Sequence, residues 1–315
     1  MKHQNSIVTE VQYSVIIPVF NSEKSLEELF ERIERFFKKL NCSFEVVFVD
    51  DGSRDKSWEI LKKLKQDNPI NIKAIRLSKN FGQHIAVFCG LKHISGGKII
   101  TMDDDLQNPP EEIAKLIHKY DETSASLVYG VYSTKKHGWL RNIGSLIIKK
   151  CSKFFSGSHG EGSSFRLFTR EVADQIISQT QSLIFIDELL LWYASDIQFV
   201  EVIHERRKYG NSGYSKFKLF SFAVNLLMYY TTFPLKLMIN FGFFSSLISF
   251  LIGSRYIYKK IFLKVAVPGY TSLIVTILFS TGLIILSLGI IGEYLLRIYL
   301  GQNKKPPYNI RQSLL

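Results

Sequence analysis

Residues 101–113 read TMDDDLQNPPEEI, and the three adjacent aspartates are where residue type and spacing first suggest chemistry. Like charges at neighbouring positions repel, and a buried carboxylate is costly unless a cation sits beside it. Asp103 and Asp105 project to the same side if strand geometry persists, while Asp104 points away. Gln107, one further step along, offers an amide oxygen on that side. Two such carboxylates can share a divalent cation whose remaining positions go to a diphosphate. The competing use of the same residues is an acidic cap for the helix after Pro109, and a lone D-x-D does not decide between the two.

The elements that must position these acids are legible as alternating strands and helices. Short apolar, β-branched runs predict strands over 13–20, 44–53, 72–78, 97–105 and 125–132. Amphipathic segments between them predict helices ending near Leu40, over about Asp55–Lys65, over HIAVFCGLKHI, and from PPEEIAKLIHKY onward. The last starts with proline in its first turn and glutamates near its positive end. This alternation implies an α/β domain with right-handed crossovers and a mostly parallel sheet. Ligands of such sheets bind at the carboxyl ends of the strands, where both Asp50-Asp51 and Asp103–Asp105 fall.

The chain has 315 residues and a net charge of +12, which suits an anionic partner such as phosphates or a membrane face. Cys42, Cys89 and Cys151 give neither a disulfide framework nor a zinc spacing and fit a reducing compartment. MKHQNSIVTEVQ lacks an apolar core, so no signal peptide is expected. Two apolar stretches, 235–258 and 267–292, are each long enough to cross about 30 Å of hydrocarbon. A pair of buried helices is the alternative use. KKIFLKVA between them is too short for a domain, so the two form a hairpin with both flanks on one side. Lys216, Lys218, Lys236, Arg297, Lys304, Lys305 and Arg311 on the flanks outnumber Lys259, Lys260 and Lys264 in the loop, which favours flanks inside. The expected organisation is a cytoplasmic catalytic domain over 1–213, an interfacial helix (or a buried core helix) over 214–234, two spans within 235–300 and a cytoplasmic tail over 301–315. That makes a multi-pass protein of the cytoplasmic membrane.

The segments VIIPVFNSEKSL, FVDDGSRDKS, LSKNFGQHIAVFCGL, MDDDLQNPPEEI, FRLFTREVAD and ERRKYGNSGYSKFKL, followed by two apolar spans, occur here in order. In these the sequence resembles family 2 glycosyltransferases of the GT-A fold, in the branch of dolichyl-phosphate mannose synthase and the bactoprenol glucosyltransferases. The resemblance implies inverting transfer of a sugar from a nucleotide-diphosphate donor, UDP-glucose as first expectation, to polyprenyl (undecaprenyl) phosphate. It implies Mg²⁺ or Mn²⁺ on Asp103, Asp105 and Gln107. Nucleotide contacts would come from Pro18, Val19, Asn21, Asp51, Ser53 and Asp104, with Asp51 bonding the base. Acceptor phosphate would meet Arg141, Ser145, Arg206, Arg207, Ser212 and Ser215. Asp103, Asp105, Arg141 and Arg207 would carry catalysis. A homo-oligomer, a tetramer, is implied too.

The sequence departs from the family pattern in four places. Ser22 and then Glu23 follow Asn21 where an acid usually comes directly, and Asp104 stands where alanine is usual. Ser163-Ser164 replace a common Gly-Asp, and Ser212-Gly213-Tyr214-Ser215 lack the usual lysine. Asp187-Glu188 are either counterparts of the base of soluble relatives or acids at a helix N-terminus. The histidines have no metal spacing, and GSHGEGS (157–163) is a lid or an inert connector. KKHGWLRN (135–142) is better read as meeting lipid phosphate than nucleic acid. Two rival functions remain: a processive polysaccharide synthase, whose Gln-x-x-Arg-Trp motif is absent, and a catalytically silent membrane scaffold.

Overall fold

A computed structural model describes residues 11–132, 163–179, 185–205, 208, 238–244 with isolated helical positions up to 262, 269–302 and 306–315. The chain divides into two compact units. One comprises Met1–Ile143, Ser158–Ser212 and Lys304–Leu315, and the other Gly144–Gly157 and Gly213–Asn303.

The first unit is built on an eight-stranded sheet in the order β7-β5-β6-β4-β1-β2-β3-β8. Its centre is made by β1 (Tyr13–Val19) and β2 (Phe44–Asp50), buried almost throughout, as expected for parallel strands covered on both faces. They pair in parallel with each other, with β3 (Ile72–Leu77) and with β4 (Lys98–Thr101). Helix α1 (Leu26–Leu40) turns Leu26, Leu29, Phe30, Ile33 and Phe37 inward, the 3.6-residue stripe of a helix docked on a sheet. Helix α2 is Ser57–Asp67, and α3 is Gln83–Leu91. Gly90 lets α3 lie against β1, because a Cβ there would meet Ile16 Cγ2 at 2.6 Å. A short 3₁₀ turn, Pro110–Glu112, leads into α4 (Ile113–Thr123).

Beyond β4 the sheet departs from the simple alternation. β6 (Arg166–Thr169) inserts antiparallel between β4 and β5 (Leu127–Tyr132), and β7 (Ile197–Val202) pairs in parallel with β5. Helices α5 (Arg170–Ile177) and α6 (Ile186–Tyr193) follow β6. At the other edge β8 (Ile310–Leu314) runs antiparallel to β3. The C-terminal segment, expected as a tail, therefore supplies a strand of the sheet.

β4 also ends sooner than the sequence suggests. It stops at Thr101, and Leu106 adopts φ 60°, which closes Met102–Leu106 into a turn. Strict strand alternation of Asp103, Asp104 and Asp105 is thereby lost. The Leu106 side chain plugs into the core at 3% exposure, and that burial offsets a left-handed backbone in a residue with a Cβ.

In the second unit, residues 238–244 are helical, and most of the expected first span and all of 214–234 lie outside the described residues. The Tyr270–Gln302 helix has 33 residues and continues past the expected end of the second span. Its Phe279–Leu296 stretch is long and apolar enough to cross a membrane. Ile284, Ile285, Leu286, Leu288 and Leu295 are all exposed along it.

Candidate active site

The carboxyl ends of β1, β2 and β4 and the turns that follow make one acidic floor. Met102 N donates to Ile16 O at 3.2 Å, which lays the acid turn beside the end of β1. Phe20 N donates to Asp104 Oδ2 at 3.1 Å, and Ser25 Oγ donates to the Asp104 carbonyl at 2.6 Å. Asp104 thus faces the β1 end and not away from the site. Asp103 accepts from Gln83 Nε2 and from Ser164 Oγ, both at 2.6 Å. Asp105 Oδ1 accepts from Gln107 N at 3.1 Å.

The β2 end is held separately. Asp51 N donates to Val19 O at 2.8 Å, while the Asp51 carboxylate accepts from Phe81 N at 2.7 Å and Gly82 N at 2.8 Å. Each oxygen of Asp51 is already engaged in holding the loop before α3, so a bond to a nucleotide base would have to share it. Gly52 has φ 71°, and a Cβ there would meet the Lys79 carbonyl carbon at 2.7 Å, so only glycine lets these two loops close. Asn21, at φ 54°, donates its N–H to Ser53 Oγ at 3.0 Å and accepts from Arg54 N at 2.9 Å. Asp50 is buried against Arg76, with Nε 3.1 Å from Oδ2.

A cleft of about 200 Å³ opens over this floor. Pro18, Thr101, Met102 and Asp103 line it from the sheet, Gln83, His84 and Val87 from α3, Ser164 and Arg166 from the β6 side, and Asp187 from α6. Arg166 is 3% exposed, donates Nε to Thr101 Oγ1 at 3.1 Å and pairs through Nη1 with Asp187 Oδ1. His84 Nδ1 lies 4.0 Å from the other Asp187 oxygen. Burial holds His84 below the usual imidazole range, with Asp187 opposing the shift.

The carboxylates of the floor are shifted chiefly by burial. Burial and the neighbouring Asp105 push Asp103 up, against Ser164, Arg166 and Gln83. Asp104 is pushed up to about 7, chiefly by burial, with Asp103 and Asp105 adding to it. Among the described residues no group of three or more His, Cys, Asp or Glu side chains gathers for a metal ion. The set that could hold one is Asp103, Asp105 and the Gln107 amide, hard oxygen donors that suit Mg²⁺ or Mn²⁺ and leave positions for a diphosphate. A cation there would offset both the burial that chiefly raises Asp103 and the charge of Asp105 beside it, and on that ground the residues fit it.

Of the residues expected from the sequence, Pro18, Val19, Asn21, Asp51, Ser53 and Asp103–Asp105 gather at this end of the sheet, with Gln107 at its rim. Arg141, Ser145, Arg206, Arg207, Ser212 and Ser215 lie outside the described residues. Gln83, His84 and Arg166 line the cleft without having been singled out. Arg166 had a readable signal, since an arginine inside the apolar run FRLFT must find a partner if that run is buried. Asp187 takes the position of a helix N-terminal acid and lines the cleft as well.

Residues 14–177 match the pattern of "Glycosyl transferase family 2". The SfII prophage-derived bactoprenol glucosyl transferase of Shigella flexneri is 31% identical over 312 residues, covering 96% of this chain and 98% of that protein. The undecaprenyl-phosphate 4-deoxy-4-formamido-L-arabinose transferase of Serratia proteamaculans is 32% identical over 303 residues, covering 95% and 93%. Among solved structures, glucosyl-3-phosphoglycerate synthase from Mycobacterium tuberculosis with Mn²⁺ and UDP-glucose aligns with a TM-score of 0.48 and 15% identity, over 69% of this chain and 77% of that one. By the match through its catalytic half and by relatives of nearly equal length, the chain belongs to glycosyl transferase family 2 and is a sugar-transferring enzyme.

Proposed function

We propose that this enzyme is a membrane-bound, inverting transferase that moves a sugar from a nucleotide-diphosphate donor to polyprenyl phosphate. The observation that carries the proposal is the end-to-end likeness to bactoprenol and undecaprenyl-phosphate sugar transferases, which includes the apolar C-terminal third. UDP-glucose is the donor to test first. A homotetramer rests on family resemblance alone.

In this reading Asp103, Asp105 and Gln107 hold Mg²⁺ or Mn²⁺, which would neutralise the charge developing on the departing diphosphate. Pro18, Val19, Asn21, Asp51, Ser53 and Asp104 shape the nucleotide side, and the sugar occupies the cleft between α3 and Arg166. Arg141, Ser145, Arg206, Arg207, Ser212 and Ser215 receive the acceptor phosphate. A phosphate monoester has its second pKa near about 6 and is already an anion at neutral pH, so no general base is required. Asp187 is then left to orient Arg166 and His84. Ser164 stands beside Asp103 where relatives often carry a carboxylate, which makes it the residue to examine for donor-sugar choice.

The return of the chain as β8 bears on membrane topology. β3 and β8 pair in one sheet and so lie on one side of any bilayer, which supports an even number of crossings between residues 213 and 304. A hairpin of two spans, with the catalytic unit in the cytoplasm, meets that requirement.

The test is to incubate detergent-purified protein with undecaprenyl phosphate and a panel of radiolabelled nucleotide sugars, then extract the lipid. Label should enter the lipid phase from one donor, dependent on the lipid phosphate. Label reaching only water or a glycan hydroxyl would overturn the proposal.

A further inference from the structure

Gln107 makes contacts that decide which way its amide faces. Its Nε2 lies 3.2 Å from His204 Nε2 and 3.4 Å from the Glu205 carbonyl oxygen. In return, Glu205 N donates to the Gln107 carbonyl at 2.8 Å, so the acid turn and the segment after β7 are clasped together. A carbonyl oxygen can only accept, so the amide edge facing Glu205 is the NH₂ group. His204 Nε2 faces that same NH₂ group at 3.2 Å and accepts from it in the tautomer that carries its proton on Nδ1. The Gln107 amide oxygen is therefore turned away from the β7 end.

The imidazole is itself held in place. Its ring packs on Tyr132, with centroids 4.1 Å apart and planes at 39°. Tyr132 is the last residue of β5 and pairs with Val202 of β7, two residues before His204. Two adjacent parallel strands thus fix the ring that fixes the amide.

We propose that His204 is a positioning residue: it accepts from the Gln107 NH₂ group and so presents the Gln107 oxygen to the divalent cation shared with Asp103 and Asp105. This rests on the metal set of the proposed function. Outer partners of this kind orient a ligand that would otherwise rotate freely, and their loss typically weakens metal binding by about 10- to 100-fold. Glu205, in the same clasp, is followed directly by Arg206 and Arg207. The clasp thereby ties the start of the expected acceptor segment to the acid turn.

The test is titration of full-length, detergent-purified protein with Mn²⁺ in the presence of uridine diphosphate, with free Mn²⁺ read by electron paramagnetic resonance. His204→Phe keeps a ring against Tyr132 but has no acceptor, and should weaken Mn²⁺ binding by about tenfold or more. His204→Gln restores an acceptor oxygen and should recover most of the affinity. A His204→Phe protein that binds Mn²⁺ within about twofold of the wild type overturns the proposal. So does a His204→Gln protein as weak as His204→Phe, which would mean that the ring packing matters and the lone pair does not. Asp105→Asn is the separate control. If it leaves Mn²⁺ binding unchanged, the metal set itself is wrong, and the role of His204 falls with it.

Discussion

The two ends of the central sheet both bury acid, and they treat it in opposite ways. At the amino end Glu45 is 3% exposed, yet Lys73 Nζ lies 2.7 Å away, Ser14 Oγ donates at 2.6 Å and the Ser95 amide donates as well. Burial pushes Glu45 up, but those partners outweigh it and hold the carboxyl below its usual range. At the carboxyl end Asp51, Asp103 and Asp104 are all raised, burial first among the causes. Asp104 is bonded by neutral donors, the Phe20 amide and the Ser22 hydroxyl, with an aspartate on either side. An acid neutralised from within serves the fold. Acids raised chiefly by burial at the ligand-binding end of a parallel sheet are, in the function proposed above, those that a cation from outside would neutralise.

The largest expected effect comes from Asp105→Asn. If Asp105 holds the metal as proposed, this should lower kcat/KM for transfer by on the order of a hundredfold or more, because it removes a hard anionic ligand at the site of developing charge. Initial rates with radiolabelled donor would check this, and near-normal turnover would remove the distinction between the two ends. Glu45→Gln should act in the contrary manner. Leaving Lys73 without its carboxylate should cost about 1–3 kcal/mol of stability in denaturant or thermal unfolding. Transfer by the folded protein should remain normal.

The smallest effect is on pH dependence, and its sign differs between the ends. Asp104, raised to about 7, holds a proton in the folded protein that the unfolded chain has lost, so its contribution to metal-free stability falls as pH rises toward 7. Glu45, held low, contributes stability above its ordinary pKa that is lost as pH falls through its folded value. Asp104→Asn should flatten the first dependence by a few degrees of melting temperature at most, measured in EDTA across neutral and mildly acid pH.

Much of the comparison is written into local sequence. VIIPV and VVFV are unbroken apolar runs that only a sheet covered on both faces accommodates, and Asp50-Asp51 follow directly at the end of the second. What local pattern could not convey depends on distant pairing. β8 reads IRQSL, mostly exposed, and becomes a strand only because β3 offers an open edge. The antiparallel insertion of β6 between β4 and β5 is a matter of chain path, which the apolar run FRLFT does not encode. The acid turn was expected as extended strand because no glycine marks the left-handed residue. Leu106 occupies it through the burial of its side chain, a tertiary cause. His84 and His204 were read only as lacking metal spacing for the same reason, since their partners Asp187 and Gln107 lie far away in sequence.

The most direct test of the metal site proposed at the acid turn is the melting temperature of wild type and Asp105→Asn in EDTA and again with Mn²⁺ plus uridine diphosphate. If the turn carries negative charge awaiting a metal, Asp105→Asn relieves repulsion and should melt no lower than wild type in EDTA. It should then gain little from Mn²⁺, whereas wild type should rise by several degrees, as a ligand well above its dissociation constant requires. An Asp105→Asn protein that is less stable in EDTA, and gains as much from Mn²⁺ as wild type does, would contradict the account.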